Sequence, residues 1–312
     1  MPDSETFALP EITGLLIGLL ALAAIAEAVF LLAMSKKASF KHHYSQVLKN
    51  GVLVMIIGAV LGRLAPFLAI AGLATIAQNM ISWSLPTVWY GWITGFIIYE
   101  FWYWLQHWLG HKSRLFWCIH SSHHAPDTIN LTVGFNHHFL ESLVYFPIFF
   151  GFLPALCGVP VEMILVINLI DVIWGSLLHV SADVVKVRYG PLEYVLQTPR
   201  YHRVHHGRNL RYMDKNYNSM TLLWDWVMGT LQPLHDDDPV EFGITRDVDV
   251  ESVMDVQFGE FRGLWQDVKA APGLTSKLKY MFMPPGWSHT GDHKTVTALR
   301  QTQSGNTTVP AE

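Results

Sequence analysis

Long apolar runs follow one another through the first 180 residues of the chain. Each run approaches or exceeds the ~20 residues that a helix needs to cross a membrane. The second run is broken near Gly62, Arg63 and Pro66, so it predicts either one tilted crossing or two half-crossings. We therefore predict an all-α integral membrane protein with about five crossings. The runs occupy residues 12–34, 51–83, 86–106, 139–158 and 160–179.

Polar sequence separates and follows these runs, and it divides the chain into regions. Only 15% of the 312 residues are charged, whereas soluble domains carry about 25%. From about residue 184 onward no further crossing is predicted. The predicted regions are an N-terminal transmembrane region (1–106), a His-rich segment (107–138), a transmembrane helical pair (139–179), a His-rich helical cap with the C-terminal region (180–290) and a disordered tail (291–312).

Basic residues predict the orientation in the membrane. Lys36, Lys37, Lys41 and Lys49 follow the first apolar run, whereas the short N-terminus is acidic. By the positive-inside rule these lysines face the cytoplasm, which places both His-rich segments on the cytoplasmic side. The expected location is a bacterial inner membrane, or the endoplasmic reticulum in a eukaryote. The net charge of −4 gives no basic signature for nucleic-acid binding.

Histidines cluster in the predicted cytoplasmic segments. The segment "HSSHH" and the later "HRVHH" repeat one His-x-x-His-His spacing, and "HWLGH" places two histidines four residues apart. On a helix, residues four apart share a face, whereas adjacent residues diverge by roughly 100°. One turn can thus offer ligands to two metal ions. The predicted ligands are His107, His111, His120, His123, His124, His179, His202, His205 and His206.

Nine imidazoles shared by two ions would give each ion four or five ligands, with a position open for dioxygen or water. Metal-bound histidines need an acceptor on their other ring nitrogen. The candidate acceptors are Glu100, Asp127, Asp214 and Asp225. For Asp214 and Asp225 the alternative is an ordinary polar loop residue. His137 and His138 lie where the chain re-enters the membrane, and a polar boundary explains them as well as ligation does.

One further pattern lies on the last apolar run. Asn168, Asp171, Gly175 and His179 form a helical stripe. This stripe either lines a tunnel for a lipid chain that leads to the metals, or it faces a neighbouring helix.

These motifs resemble the fatty acid hydroxylase/sterol desaturase superfamily over roughly residues 90–290. The segments "EFWYWLQHWLGH", "HSSHHAPDTINLT", "TPRYHRVHHGRNLRYMDKNY", "LLWDWVMGTL" and "MPPGW" are most similar to its alkylglycerol monooxygenase branch, in a bacterial-type form. Trp108 follows His107 where the family often has Arg or Lys, which changes a neighbour of a ligand and not a ligand. The resemblance implies an integral membrane enzyme with a cytoplasmic centre of two iron ions (Fe²⁺).

The resemblance also implies an activity. Such an enzyme uses O₂ to hydroxylate an alkyl chain of an ether lipid, a fatty acyl lipid or a sterol-like lipid, and ether cleavage can follow. A desaturase on the same scaffold is the alternative, and a metal-dependent hydrolase or a metal or heme transporter are more distant ones. The chain carries no heme or Cys-rich redox motif. Its electrons would therefore come from a separate donor, either a tetrahydropterin or a redox protein.

Overall fold

The computed structural model describes residues 65–185 and 188–305, together with isolated positions between 19 and 33. Within these residues the chain is helical, with only two isolated β-bridges and no strand. The helices are α1 (Ala65–Gln78), α2 (Trp89–Lys112), α3 (Arg114–His124), α4 (Glu141–Leu156), α5 (Val161–Leu178), α6 (Pro199–His205), α7 (Leu223–Val227), α8 (Val253–Ala270), α9 (Gly273–Phe282) and α10 (Val296–Gln303).

An apolar core joins the helices formed by the predicted crossings. Ile70 of α1, Tyr99 of α2, Phe150 of α4 and Met163 of α5 are buried in one cluster. The turn before α5 requires Gly158, because its φ of +77° is left-handed and a Cβ there would clash with the ring of Trp83. This packing fixes the ends of α2 and α5, which carry histidines.

The five predicted crossings are not all tested by this structure. Among the residues it describes, α5 is the one helix that is both long and apolar enough to cross a membrane, whereas α1 and α4 are apolar but shorter. About two thirds of the run 12–34, and residues 51–64 of the second run, lie outside the described residues. One helix that meets this test is weak support for a membrane protein, so the number of crossings stays a prediction.

The first apolar run nevertheless makes one described contact with the site region. Glu27 is buried, and its carboxylate accepts hydrogen bonds from the backbone N–H of Leu131 (2.6 Å) and of Ser181 (2.7 Å). A buried carboxylate is costly without such partners. Glu27 therefore ties the two loops that follow α3 and α5.

The polar part of the chain folds back over α3. Helices α8 and α9 pack against α3, and their shared core contains Cys118, Leu264, Tyr280 and Trp287. Helix α3 thus lies between the helices of the apolar runs and the C-terminal region. Because α3 carries three of the nine histidines, the C-terminal region helps to build the site.

The prediction of a disordered tail over residues 291–312 was wrong for the first part of that segment. Residues 296–303 form α10, whose N-terminus is capped by the Thr295 hydroxyl accepting from the Ala298 N–H (3.2 Å). The Arg300 guanidinium donates to the carbonyl oxygens of Leu210 (3.0 Å) and Met213 (2.7 Å). The cap and these charge-assisted bonds order a segment whose composition alone suggests a tail.

Candidate metal centre

Four structural elements bring the nine predicted histidines together. His107 and His111 lie in the last two turns of α2, and three more lie in the last two turns of α3. His179 is the C-cap of α5, and the remaining three lie on α6 and its C-cap. All nine are buried. They form two groups, each placed to hold a metal ion: group A is His107, His111, His120, His124 and His205, and group B is His123, His179, His202 and His206.

Each His-x-x-His-His motif is divided between the two groups. On α3, His120 and His124 belong to group A and His123 to group B; on α6 the pattern is reversed, with His205 in group A. The divergence of adjacent helix positions predicts this division. The groups hold five and four histidines, the numbers expected for two ions sharing nine ligands.

The Nε2 atoms of group A converge on one point. His107 and His120 bring theirs to 3.0 Å, and the Nε2 of His124 lies 3.1 Å from that of His120 and 3.1 Å from that of His205. Two nitrogens bound at right angles to one ion at about 2.1 Å would be about 3 Å apart. The spacing therefore fits nitrogen ligands around a common ion.

Group B has the same spacing. The Nε2 of His179 lies 3.2 Å from that of His123 and 2.9 Å from that of His202. The Nε2 of His202 lies 3.1 Å from that of His206.

On the side of the rings that faces away from the centre, several Nδ1 atoms face hydrogen-bond acceptors. His107 donates to the Tyr217 carbonyl (2.6 Å), and His205 donates to the Lys215 carbonyl (2.9 Å).

These outer contacts determine which nitrogen of a neutral ring carries the proton. His179 also points its Nδ1 at a carbonyl, that of Gly175 (2.8 Å). A carbonyl can only accept, so the proton stays on Nδ1 and the Nε2 lone pair faces the centre. The tautomers required for ligation are thus set by backbone geometry.

Burial lowers the pKa of eight of the nine rings and so favours their uncharged form. Burial lowers the pKa of His205 to about 3, even though its bond to the Lys215 carbonyl opposes this. Burial first, and the neighbouring histidines second, also lower the pKa of His107 and of His124 well below the usual value. Neutral imidazoles are the form that binds metal, so the donor set fits a metal centre. His111 adds a buried Nε2 with no hydrogen-bond partner among the described residues.

One carboxylate that the sequence analysis missed joins the two groups. Glu141 is fully buried at the start of the π-helical first turn of α4. Its two oxygens face the Nδ1 of His120 (2.7 Å) and the Nδ1 of His137 (2.8 Å). The His137 ring in turn stacks on His123, with centroids 4.4 Å apart and planes 9° apart. Glu141 thus supports a ring of each group, directly or through His137. The available signal was its spacing of four from His137.

Four carboxylates were predicted to face histidines, and the structure gives each of them different surroundings. Asp214 lies 3.6 Å from the Nδ1 of His111, beyond hydrogen-bond length, and pairs with Lys112 at 2.6 Å. Asp225 accepts from the backbone N–H of Tyr217 and of Asn218, each at 2.8 Å. Because the Tyr217 carbonyl accepts the hydrogen bond from His107 Nδ1–H, Asp225 supports His107 through the backbone.

Glu100 and Asp127 lie differently again. The Glu100 carboxylate is fully buried and accepts from Asn218 (2.9 Å) and from the backbone N–H of Met220 (3.1 Å) and of Thr221 (3.0 Å). Its described hydrogen bonds join α2 to the loop after α6 and include no histidine. Asp127 is exposed in the bend after α3.

Two cavities reach the centre from different sides. The first, called the apolar cavity, has a volume of about 300 Å³ and lies among α1, α2, α4 and α5, with Phe67, Ile70, Phe146 and Phe150 in its wall. The predicted stripe of Asn168, Asp171, Gly175 and His179 also lines it. The second, called the charged cavity, has a volume of about 410 Å³, and its charged lining residues are Arg114, Arg208, Asp214, Arg246, Glu260 and Lys294.

Comparison with known proteins agrees with these features. Residues 92–230 match the model of the fatty acid hydroxylase family. The chain is 30% identical over 211 residues to an alkylglycerol monooxygenase of Xenopus tropicalis and 29% identical over 211 residues to that of Homo sapiens, covering 66% of this chain and 44% of each relative. It is 31% identical over 182 residues to an ornithine lipid hydroxylase of Rhizobium tropici, covering 56% of this chain and 54% of the relative.

The matched region contains all nine histidines. The chain spans less than half the length of the alkylglycerol monooxygenases that it matches, and no solved structure matches it. The histidine motifs were interpreted as a resemblance to the superfamily and to its alkylglycerol monooxygenase branch. This resemblance is confirmed, because residues 92–230 match the fatty acid hydroxylase family and alkylglycerol monooxygenases are about 30% identical to this chain.

Proposed function

We propose that this protein is a membrane-bound di-iron oxygenase that uses O₂ to hydroxylate an alkyl chain of a lipid. One observation carries the proposal: nine buried histidines form groups of five and four, and an apolar cavity ends against five of them. The relatives' names, a monooxygenase of an alkylglycerol and a hydroxylase of an ornithine lipid, support a lipid substrate and O₂.

The nine histidines are the proposed ligands of two Fe²⁺ ions, one in each group. Bound iron would supply the oxidising power that breaks an unactivated C–H bond, which amino-acid side chains cannot supply. The tautomers of His107, His179 and His205 are set by carbonyl acceptors, and that of His120 by Glu141. These contacts keep the Nε2 lone pairs directed inward before any metal arrives.

The apolar cavity is the proposed site of the lipid chain. Phe146 and Phe150 line it on one side, and Gly175 lies on α5 one turn before His179. A Cβ at Gly175 would meet only the Ser219 hydroxyl oxygen, at 3.6 Å. The missing side chain leaves space one helical turn from a proposed ligand, where a chain can approach the centre while the aromatic wall excludes water.

The location and electron supply complete the proposal. We place the helices of the apolar runs in a bacterial inner membrane or an endoplasmic reticulum membrane, with the histidines at its cytoplasmic face. The regions 107–138 and 180–290 then form one cytoplasmic cap. The electrons come from a separate donor, a tetrahydropterin or a redox protein.

The test combines metal content with oxygen labelling. Protein purified without O₂ from iron-supplemented cells should hold about two irons per chain. A His205→Ala variant should lose iron, whereas a His235→Ala control, at a half-buried histidine outside both groups, should keep it. With ¹⁸O₂ and a reductant, a lipid extract should yield a product carrying one labelled oxygen. Label arriving only from water would contradict an oxygenase, and an unlabelled product with a new double bond would indicate a desaturase.

A further inference from the structure

One part of the wall of the apolar cavity is polar. Asn168, Asp171, Asn218 and Ser219 line the cavity together with the aromatic and aliphatic side chains described above, and all four are buried. Two of them lie on α5, and the other two lie in the loop between α6 and α7. We call these four residues the polar patch. Two separate parts of the chain therefore bring polar atoms to a cavity that is otherwise suited to a hydrocarbon chain.

Hydrogen bonds from behind hold the side chains of the polar patch in position. The Tyr99 hydroxyl donates to Asp171 Oδ2 (3.3 Å) and accepts from Asn168 Nδ2 (2.9 Å). Asn218 Nδ2 donates to the Glu100 carboxylate (2.9 Å). This bond sets the orientation of the Asn218 amide, because only its NH₂ group can donate. The remaining oxygens of Asp171 and Asn218 are thus fixed in place.

Three buried atoms of the polar patch have no hydrogen-bond partner among the residues that the structure describes. They are Asp171 Oδ1, Asn218 Oδ1 and Ser219 Oγ. A buried polar atom without a partner costs free energy. Of the described residues that line this cavity, none is Lys or Arg, so no cation of the wall pairs with Asp171. An amide oxygen and a carboxylate oxygen accept hydrogen bonds, so the patch fits a ligand that donates one.

We propose that Asp171 and Asn218 bind a hydrogen-bond donor of the lipid, a hydroxyl group or an amide N–H, and thereby determine which lipids the apolar cavity accepts. The inference rests on the proposed function and narrows its substrate class. A lipid hydroxyl donates to Asp171 or Asn218 and accepts from the Ser219 hydroxyl. A plain hydrocarbon chain would leave all three atoms buried without partners, so it should bind less tightly.

The position of Asp171 on α5 relates this donor to the metal centre. Asp171, Gly175 and His179 follow one another at intervals of four residues, so they lie on one face of the helix. Asp171 is thus about two turns from His179, and the missing side chain of Gly175 leaves space between them. A lipid held at Asp171 has a fixed register relative to the histidines. Its polar group, and not the end of its chain, then determines which carbon faces the centre.

The experiment removes the donor from the ligand and the acceptor from the protein. The probes are 1-dodecanol and 1-methoxydodecane, which carry the same chain, but the ether has no hydrogen-bond donor. The variants are Asp171→Leu and Asp171→Asn. Asp183→Leu is the matched control, because it makes the first of these substitutions at an exposed residue outside the cavity. Zinc content is measured first, and each zinc-loaded protein is then titrated with each probe by calorimetry in the same detergent.

The quantity compared is the affinity for dodecanol divided by the affinity for the ether. Partition of the probes into micelles is the same for every variant, so a change in this ratio reports on the protein. Asp171→Leu should lower the ratio at least tenfold, because a hydrogen bond to a carboxylate is lost. In Asp171→Asn the Tyr99 hydroxyl retains the carbonyl oxygen, so the NH₂ group faces the cavity and donates to the ether. This variant should lower the ratio as much, and Asp183→Leu should leave it unchanged.

A ratio within twofold of wild type in either Asp171 variant would overturn the inference, so Asp171→Asn decides alone if Asp171→Leu does not fold. Zinc-loaded wild-type protein that binds neither probe would overturn it as well. Equal lowering of the ratio in Asp183→Leu would do the same, because that residue lies outside the cavity. Protein that retains neither zinc nor iron would instead overturn the proposed function on which the inference rests.

Discussion

Replacing Glu141 by Gln should weaken metal binding although Glu141 belongs to neither histidine group. The carboxylate is fully buried and offers one oxygen to His120 (2.7 Å) and the other to His137 (2.8 Å). A Gln amide has one acceptor oxygen, and its NH₂ group would face an N–H donor at the other contact. At least one histidine therefore loses its partner.

The expected magnitude follows from this loss. Removing an outer partner of a metal-bound histidine typically costs 10–100-fold in metal affinity, which corresponds to about 1.4–2.8 kcal/mol at about 1.4 kcal/mol per tenfold. The effect should reach group B as well, because the His137 ring stacks on His123. We expect Glu141→Gln to bind Zn²⁺ at least tenfold more weakly than wild type.

The assay is competition for Zn²⁺ against a chromophoric chelator in detergent, with the melting temperature measured in parallel. Glu162→Gln is the matched control, because it makes the same substitution at an exposed position of α5. Equal zinc affinity, within twofold, in Glu141→Gln and wild type would refute the reasoning. A lower melting temperature of the metal-free variant, with zinc affinity unchanged, would indicate that Glu141 stabilises the fold and does not support metal binding.

Three further predictions concern the cavity, acid stability and backbone support. Gly175→Leu should shorten the longest lipid chain accepted, measured by product analysis over a chain-length series, and unchanged selectivity would contradict a chain site at Gly175. The metal-free protein should lose stability as pH falls from about 6.5 toward 3. The pKa of His205 is about 3 in the folded protein and about 6.5 in the unfolded chain, so the unfolded chain binds more protons between these pH values. Denaturant midpoints that stay constant from pH 7 to 5 would contradict this loss of stability. Asp225→Asn should destabilise the fold by roughly 1–3 kcal/mol, because the buried carboxylate accepts from Tyr217 and Asn218; chemical denaturation measures this, and a change below 0.5 kcal/mol would be too small for the bonds described.

The histidine cluster was predictable because helical periodicity acts over short distances. The i, i+4 spacing of His107 and His111, and the repeated three-histidine spacing, already determine which rings share a face. The structure divides each motif between two groups as that geometry requires. His179 was harder to predict, since it lies alone at the end of α5, and its position at the boundary of an apolar run was the only signal.

The contact of Glu141 with His120, and the charged cavity, could not be predicted from such local rules. Glu141 reaches His120 across 21 residues through a π-helical turn, a geometry that no spacing in "NHHFLES" indicates. Glu100 illustrates the opposite error: it was predicted to face a metal-bound histidine, but its partners are Asn218 and nearby backbone groups more than 115 residues away. Such contacts depend on tertiary folding, which a single sequence does not display.

The division of each short motif between both groups also has a consequence for assembly. Both α3 and α6, with its C-cap, carry ligands for both groups, so an ion held in one group fixes the helices that present ligands to the other. Two ions bound as proposed should therefore load cooperatively, with a steep binding isotherm and little singly loaded protein at intermediate metal concentration. Native mass spectrometry of a metal titration would display this as empty and doubly loaded chains side by side.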